Sequence, residues 1–124
     1  MKNAATIWLR TEGAVALGAA LVLYGRGLHP YSWGWFAALF LVPDISMLGY
    51  LAGPRVGAIA YNLAHTYTLA LGLLGLGLLL GQGVSIAGGI IWCAHIGFDR
   101  AMGYGLKLPE GFGHTHLGPI GRRR

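Results

Sequence analysis

Apolar residues fill four long blocks of this chain, about 7–24, 33–51, 56–80 and 84–106, with few polar positions inside each. Each block approaches the roughly 20 residues that carry an α-helix across bilayer hydrocarbon. Helix breakers stand between them: Gly25-Arg26-Gly27 with His29-Pro30, then Gly53-Pro54, then Gly81-Gln82-Gly83. Connections this short make consecutive helices antiparallel neighbours. The pattern therefore predicts an all-α, four-helix up-down membrane bundle over residues 1–106. Pro54 suits the first turn of the third helix. Pro43, inside the second block, removes a backbone donor and clashes with the preceding turn. It predicts a kink at Val42–Asp44, with Asp44 capping Ile45–Leu51 and Ser46 assisting. The third block reads as one helix. Residues 107–124 have Gly, Pro and no helical period, and read as an irregular basic tail that lies on the membrane or folds back under the bundle.

Composition agrees with this pattern. Of 124 residues, 55% are hydrophobic and 10% charged, against roughly 25% charged in soluble domains. Soluble globular and disordered classes are thereby set aside. The single cysteine, Cys93, excludes an internal disulfide framework and a cysteine-based zinc finger. Arg10 and Glu12 interrupt the first block, so it reads as a retained span rather than a signal peptide. In a four-span bundle both termini and the second connection share one side. That side carries Lys2, Arg10, Arg55, Arg100, Lys107 and Arg122–Arg124, eight of the nine basic residues. The positive-inside rule places both termini in the cytoplasm of a multi-pass protein. The net charge of +5 reports this bias, and no nucleic-acid partner is implied. Membrane lipids are the expected surroundings. Gly72, Gly75, Gly77 and Gly88-Gly89 suit close helix packing, within the bundle or in a homo-oligomer.

Ionisable residues inside spans are costly and face a partner or a pathway. At about 1.5 Å per residue from the cytoplasmic ends, Glu12 lies roughly 8 Å deep, Asp44 roughly 11 Å, Asp99 roughly 10 Å, His65 roughly 14 Å and His95 roughly 16 Å. Helices of opposite direction thus bring these residues into one half of the membrane. Asn62 and His65 are spaced i,i+3, and His95 and Asp99 i,i+4, so each pair shares a helix face. Imidazole and carboxylate ligands suit zinc, iron or manganese. Asp44, His65, His95 and Asp99 are the candidate metal ligands, with His114 and His116 as an extra pair on the tail. A hydrogen-bonded network that only fixes helix register is the competing reading. Asp99 or Glu12 would serve as general base, and Arg100 or Tyr50 as electrophilic stabiliser. Ser46, Asn62 and Tyr104 would complete the polar network. Glu12 has a second reading, as a first-turn carboxylate offsetting the dipole of the first helix.

The segments Pro43-Asp44-Ile45-Ser46-Met47-Leu48-Gly49-Tyr50, Asn62-Leu63-Ala64-His65-Thr66-Tyr67, Ala94-His95-Ile96-Gly97-Phe98-Asp99-Arg100-Ala101-Met102-Gly103-Tyr104-Gly105-Leu106-Lys107 and Thr115-His116-Leu117-Gly118 together resemble the DUF4260 family. These are small bacterial membrane proteins of unknown function. The resemblance covers nearly the whole chain, including its unusual polar positions. It implies a shared multi-span fold in the bacterial inner membrane and supplies no activity.

Four functions compete on the residues. A metal-dependent membrane enzyme, hydrolase or oxidase, would act on a lipid-like or amphipathic substrate at the cytoplasmic boundary. A small oligomeric transporter or proton-coupled carrier would use Asp44, His65, His95 and Asp99 as protonation sites, although the non-cytoplasmic halves of the spans offer almost no polar path. A haem held by His65 and His95 ranks third, because Asp44 and Asp99 make an unusual haem wall. A purely structural network is the fourth. Nucleotide-binding loops, dinucleotide fingerprints and a Gly-x-Ser-x-Gly elbow are absent from the sequence.

Overall fold

A computed structural model of the chain describes residues 4–103 and the backbone of three short strands beyond them. The helices are α1 (Ala4–Tyr24), α2 (Trp33–Leu39), α3 (Pro54–Ala64), α4 (Tyr67–Leu80) and α5 (Gly83–Ala101), with a 3-10 segment, Val42–Ala52, between α2 and α3. Among the described residues, three stretches are long and apolar enough to cross a membrane: Ala4–Tyr24, Trp33–Ala52 and Pro54–Leu80. The fourth block, carrying His95, Asp99 and Arg100, is less apolar and is the most enclosed.

α5 is the central element. Ten of its residues are buried, whereas α2 and the 3-10 segment bury none. Glycines set its two closest seams. A Cβ on Gly97 would come within 2.7 Å of the Gly13 carbonyl, and one on Gly13 within 2.8 Å of the Gly97 carbonyl, so the backbones of α1 and α5 touch. On the other flank, Gly89 meets the backbone of Leu74, and Gly77 that of Ile86, at 2.7 Å by the same measure. Small residues thus replace side-chain interdigitation where helices meet. The glycines expected to serve packing divide accordingly: Gly77 and Gly89 lie in seams, whereas a Cβ on Gly72 or Gly75 would meet nothing within 4 Å among the described residues. Arg10 closes the far end of α5, its Nε donating to the Ala101 carbonyl at 3.0 Å.

The second block is broken, as Pro43 predicts, but the break comes at Phe40–Leu41, and the chain beyond it winds as 3-10 rather than α. An eleven-residue 3-10 run is unusually long. Its three-residue turn shows in its exposure. Val42, Ile45, Leu48 and Leu51 face outward, while Pro43, Asp44, Ser46, Met47, Gly49 and Tyr50 are half-buried. Asp44 sits in the first turn, yet the segment has no side-chain cap; Ser46 donates to the Pro43 carbonyl at 2.8 Å. Asp44 is turned to the histidines instead of to backbone amides.

The third block is two helices, not one. α3 stops at Ala64, and α4 restarts at Tyr67 after Thr66 takes an extended conformation. No Pro or Gly marks this break. It is held from α5: Trp92 Nε1 donates to the Ala64 carbonyl, and Arg100 Nη2 to the His65 carbonyl at 3.0 Å. Carbonyls freed by the break thereby find donors, which irregular backbone at membrane depth requires.

The fourth helix ends at Ala101 instead of continuing to 106. Gly103 takes φ +91°, which side-chain-bearing residues rarely adopt, and its N–H reaches the Arg100 carbonyl at 3.0 Å. The segment expected to be irregular carries three strands, β1 (Lys107–Leu108), β2 (Gly111–Thr115) and β3 (Gly118–Pro119). They pair antiparallel in chain order, with Lys107 opposite Thr115 and His114 opposite Pro119. β1 and β2 lie beside α3.

Candidate metal centre

Three elements converge on one point. The 3-10 segment brings Asp44, the C-terminal cap of α3 brings His65, and one face of α5 brings His95 and Asp99. One ligand atom from each lies within 4.8 Å of all the others. His65 Nε2 is 3.2 Å from Asp44 Oδ1 and 3.2 Å from Asp99 Oδ2. His95 Nε2 is 3.2 and 3.3 Å from the same two oxygens, and the two Nε2 atoms are 3.0 Å apart. The histidines are 3% and 1% exposed, so this set is sealed from bulk water on their side. Asp44, with its side chain 30% exposed, is the open side.

Hydrogen bonding fixes the polarity of His65. Its Nδ1 lies 2.9 Å from the Tyr61 carbonyl, which can only accept. Nδ1 therefore carries the proton, and neutral His65 presents a lone pair at Nε2. The Tyr61 ring stacks on the imidazole at 3.7 Å and 6°, locking its plane. A histidine oriented through one nitrogen by a carbonyl, with the other facing carboxylates, is the arrangement of metal-ligating histidines. Nδ1 of His95 is buried without a hydrogen-bond partner among the described residues, and the Phe40 ring meets the imidazole edge-on at 5.2 Å.

The charge at this point is suited to a cation. Two half-enclosed carboxylates face two imidazole nitrogens, and among the described residues no Lys or Arg pairs with either carboxylate. Arg100 is near but is committed to the His65 carbonyl and lies 5.6 Å over the Tyr67 ring. Buried charge without compensation is expensive. A 3.0 Å gap between Nε2 atoms admits one proton or one metal ion, not two opposed N–H groups. One proton would leave the set net negative, whereas a divalent metal neutralises it. The spacing also fits. Four ligands about 2.0–2.1 Å from a tetrahedral zinc stand about 3.3 Å apart. Adjacent ligands of an octahedral ion at about 2.1 Å stand about 3.0 Å apart. The five separations that involve a histidine Nε2, 3.0 to 3.3 Å, lie between these edges, and the two carboxylates offer ligand atoms within 4.8 Å of each other. The group can thus hold a metal ion, and its hard, thiolate-free donors suit zinc, iron or manganese.

The family model described as "Domain of unknown function (DUF4260)" matches residues 6–120. The chain belongs to the DUF4260 family. No curated protein and no solved structure matches it.

The remaining residues singled out in this DUF4260 chain fall in different places. Glu12 is exposed on α1 and outside the Asp/His group. Its first-turn role also fails, because α1 begins at Ala4 and leaves Glu12 in the third turn. Tyr50 packs its ring into the space left by Gly57 and shares a surface depression with Asp44. Asn62 is half-buried one turn before His65, and Ser46 stays on the Pro43 carbonyl. Tyr104 and His116 lie outside the described residues, as does the side chain of His114. Among residues of the site not picked out as partners, the Tyr61 carbonyl was readable from its i,i+4 spacing to His65. Phe40 and Trp92 had no such signal, because their contacts are long-range.

Proposed function

We propose that this protein is a four-span bacterial inner-membrane metalloenzyme that binds one divalent metal through Asp44, His65, His95 and Asp99 and hydrolyses an amphipathic substrate at the cytoplasmic boundary. The observation that carries the reading is the His65 tautomer: a lone pair held by the Tyr61 carbonyl toward two carboxylates and a second imidazole. A bound metal would supply Lewis acidity and lower the pKa of a water molecule. The chain's own residues supply the rest. Each carboxylate meets both histidines through one oxygen, Oδ1 of Asp44 and Oδ2 of Asp99, which leaves its second oxygen to take up a proton. Asp44, beside the open depression, is the carboxylate that water reaches first and is assigned the general-base role. Tyr50 in that depression is placed to donate to a developing oxyanion. Arg100 positions His65 by holding its carbonyl. Both termini and the 2–3 connection are assigned to the cytoplasm by their basic residues, an orientation that terminal reporter fusions test directly.

Elemental analysis of protein purified without a chelator or His tag, beside His65→Ala and His95→Ala, tests the metal. Near-stoichiometric metal in the wild type, lost in both variants with the fold retained, supports it. A metal-free wild type after soaking with zinc, iron and manganese rejects it. A second reading, a proton-coupled carrier, rests on the same 3.0 Å Nε2–Nε2 distance, which a shared proton also satisfies. Metal-independent, pH-driven flux in proteoliposomes would favour that reading.

A further inference from the structure

The apolar side of the centre has a shape of its own. A cavity of about 350 Å³ is walled by Leu39, Pro43, Ser46, Ala64, Gly88 and Ile91 among others, and it meets the centre through chain neighbours of the ligands rather than through the ligands themselves. Pro43 and Ala64 are chain neighbours of Asp44 and His65, and Ile91 lies one turn before His95. A second cavity of about 260 Å³ shares Leu39, Gly88 and Ile91 with the first and reaches Tyr24, Tyr31 and Trp35. Together they form a trough along one stripe of α5. Gly88 and Ile91 line both cavities, and His95 and Asp99 follow Ile91 on the same face of α5 at spacings of four, beyond the cavity walls, so the stripe runs from apolar to polar. Leu39 and Val42 on its outer wall are 38% and 46% exposed, so the trough opens sideways toward hydrocarbon. The volume of either cavity is near the lower range of small-molecule sites.

Gly88 is the telling residue. A Cβ on its neighbour Gly89 would collide with the Leu74 backbone, so α4 packing explains that glycine. A Cβ on Gly88 would meet only Leu73 Cδ2, at an ordinary 3.7 Å. Packing does not require glycine at position 88, and helix propensity disfavours it. Gly88 lies in the wall that the two cavities share.

We propose that this trough holds the hydrocarbon tail of a single-chain amphiphile, a long-chain acyl ester or acid, with its polar end at the Asp/His centre and Gly88 keeping the passage clear. The placement of the polar end rests on the metal reading; the tail site does not. An amphiphile lying this way has its head nearer the cytoplasmic surface and its tail deeper, matching a molecule from the inner leaflet.

The test is photolabelling of the purified full chain in detergent with diazirine-bearing palmitate, with crosslinks mapped by mass spectrometry and metal content measured on the same samples. Labelling at Leu39, Ile91 or Trp92 is expected, reduced at least tenfold in Gly88→Leu and in Leu39→Trp, which narrow the trough from opposite walls. Metal content should stay at the wild-type level in both variants, which also reports an intact fold. Labelling that ignores both substitutions, or falls elsewhere on the chain, overturns the tail site even where metal is present. A metal-free wild type whose trough labelling is still lost in both variants unseats the metal while supporting the tail site.

Discussion

The Nε2 atoms of His65 and His95 face each other at 3.0 Å, with Oδ1 of Asp44 and Oδ2 of Asp99 on either side. Three separate elements have drawn together four groups that can serve as metal ligands.

Protons must compete with metal for these atoms. Metal ligation needs neutral imidazoles and ionised carboxylates, so affinity rises with pH and falls as protons take the ligand lone pairs. Metal bound at pH 8 should be released progressively on acidification, because each ligand lone pair taken by a proton is lost to the metal. Equilibrium dialysis at successively lower pH checks it. An affinity that stays constant as the pH falls would count against histidine ligation.

The interruption between α3 and α4 should depend on α5. Arg100→Met removes the donor to the His65 carbonyl, and Trp92→Phe the donor to the Ala64 carbonyl. Each should cost about 1–2 kcal/mol of stability and weaken metal binding, because both changes loosen the backbone that aims His65. Thermal unfolding in detergent and metal titration give the two readouts. Arg100→Lys should recover part of the loss.

Glycines separate into those in seams and those in the open. Gly97→Leu should cost at least about 3 kcal/mol or abolish folding, since its side chain would enter the α1 backbone. Gly18→Leu, with nothing within 4 Å, should change stability by less than about 0.5 kcal/mol. Equal effects at the two positions would contradict the close approach of α1 and α5.

Glu12 is exposed and apart from the four ligands. Glu12→Gln should therefore leave metal stoichiometry unchanged, whereas Asp99→Asn should lower it. Metal analysis of the pair decides the membership of each.

The polar residues of the site were legible because a bilayer penalises them. Asp44, His65, His95 and Asp99 stand out from apolar blocks, and a rise of about 1.5 Å per residue already places them at similar depths. Local chemistry also foretold the break near Pro43 and the shared face of His95 and Asp99. The features that escaped were set by distance in sequence or by an unexpected period. The break after Ala64 has no Gly or Pro and is made by donors on Trp92 and Arg100, some 30 residues away. Val42, Ile45, Leu48 and Leu51 recur every three residues, but in a block where most residues are apolar this period is invisible until the exposed side is known. Glu12 was misplaced because Ala4–Thr6 extend α1 backward beyond the first strongly apolar residue.

The 3-10 segment also alters how far the second block reaches. An α-helix advances about 1.5 Å per residue, whereas a 3-10 helix advances about 2.0 Å. The eleven residues Val42–Ala52 thus cover about 22 Å instead of about 17 Å, and the seven of α2 add about 10 Å. A stretch of twenty residues that gives up helical continuity at Phe40–Leu41 still matches the roughly 30 Å of a hydrocarbon core. The length lost at the break is regained by tighter winding, so Asp44 can be turned inward without leaving the block too short for the membrane.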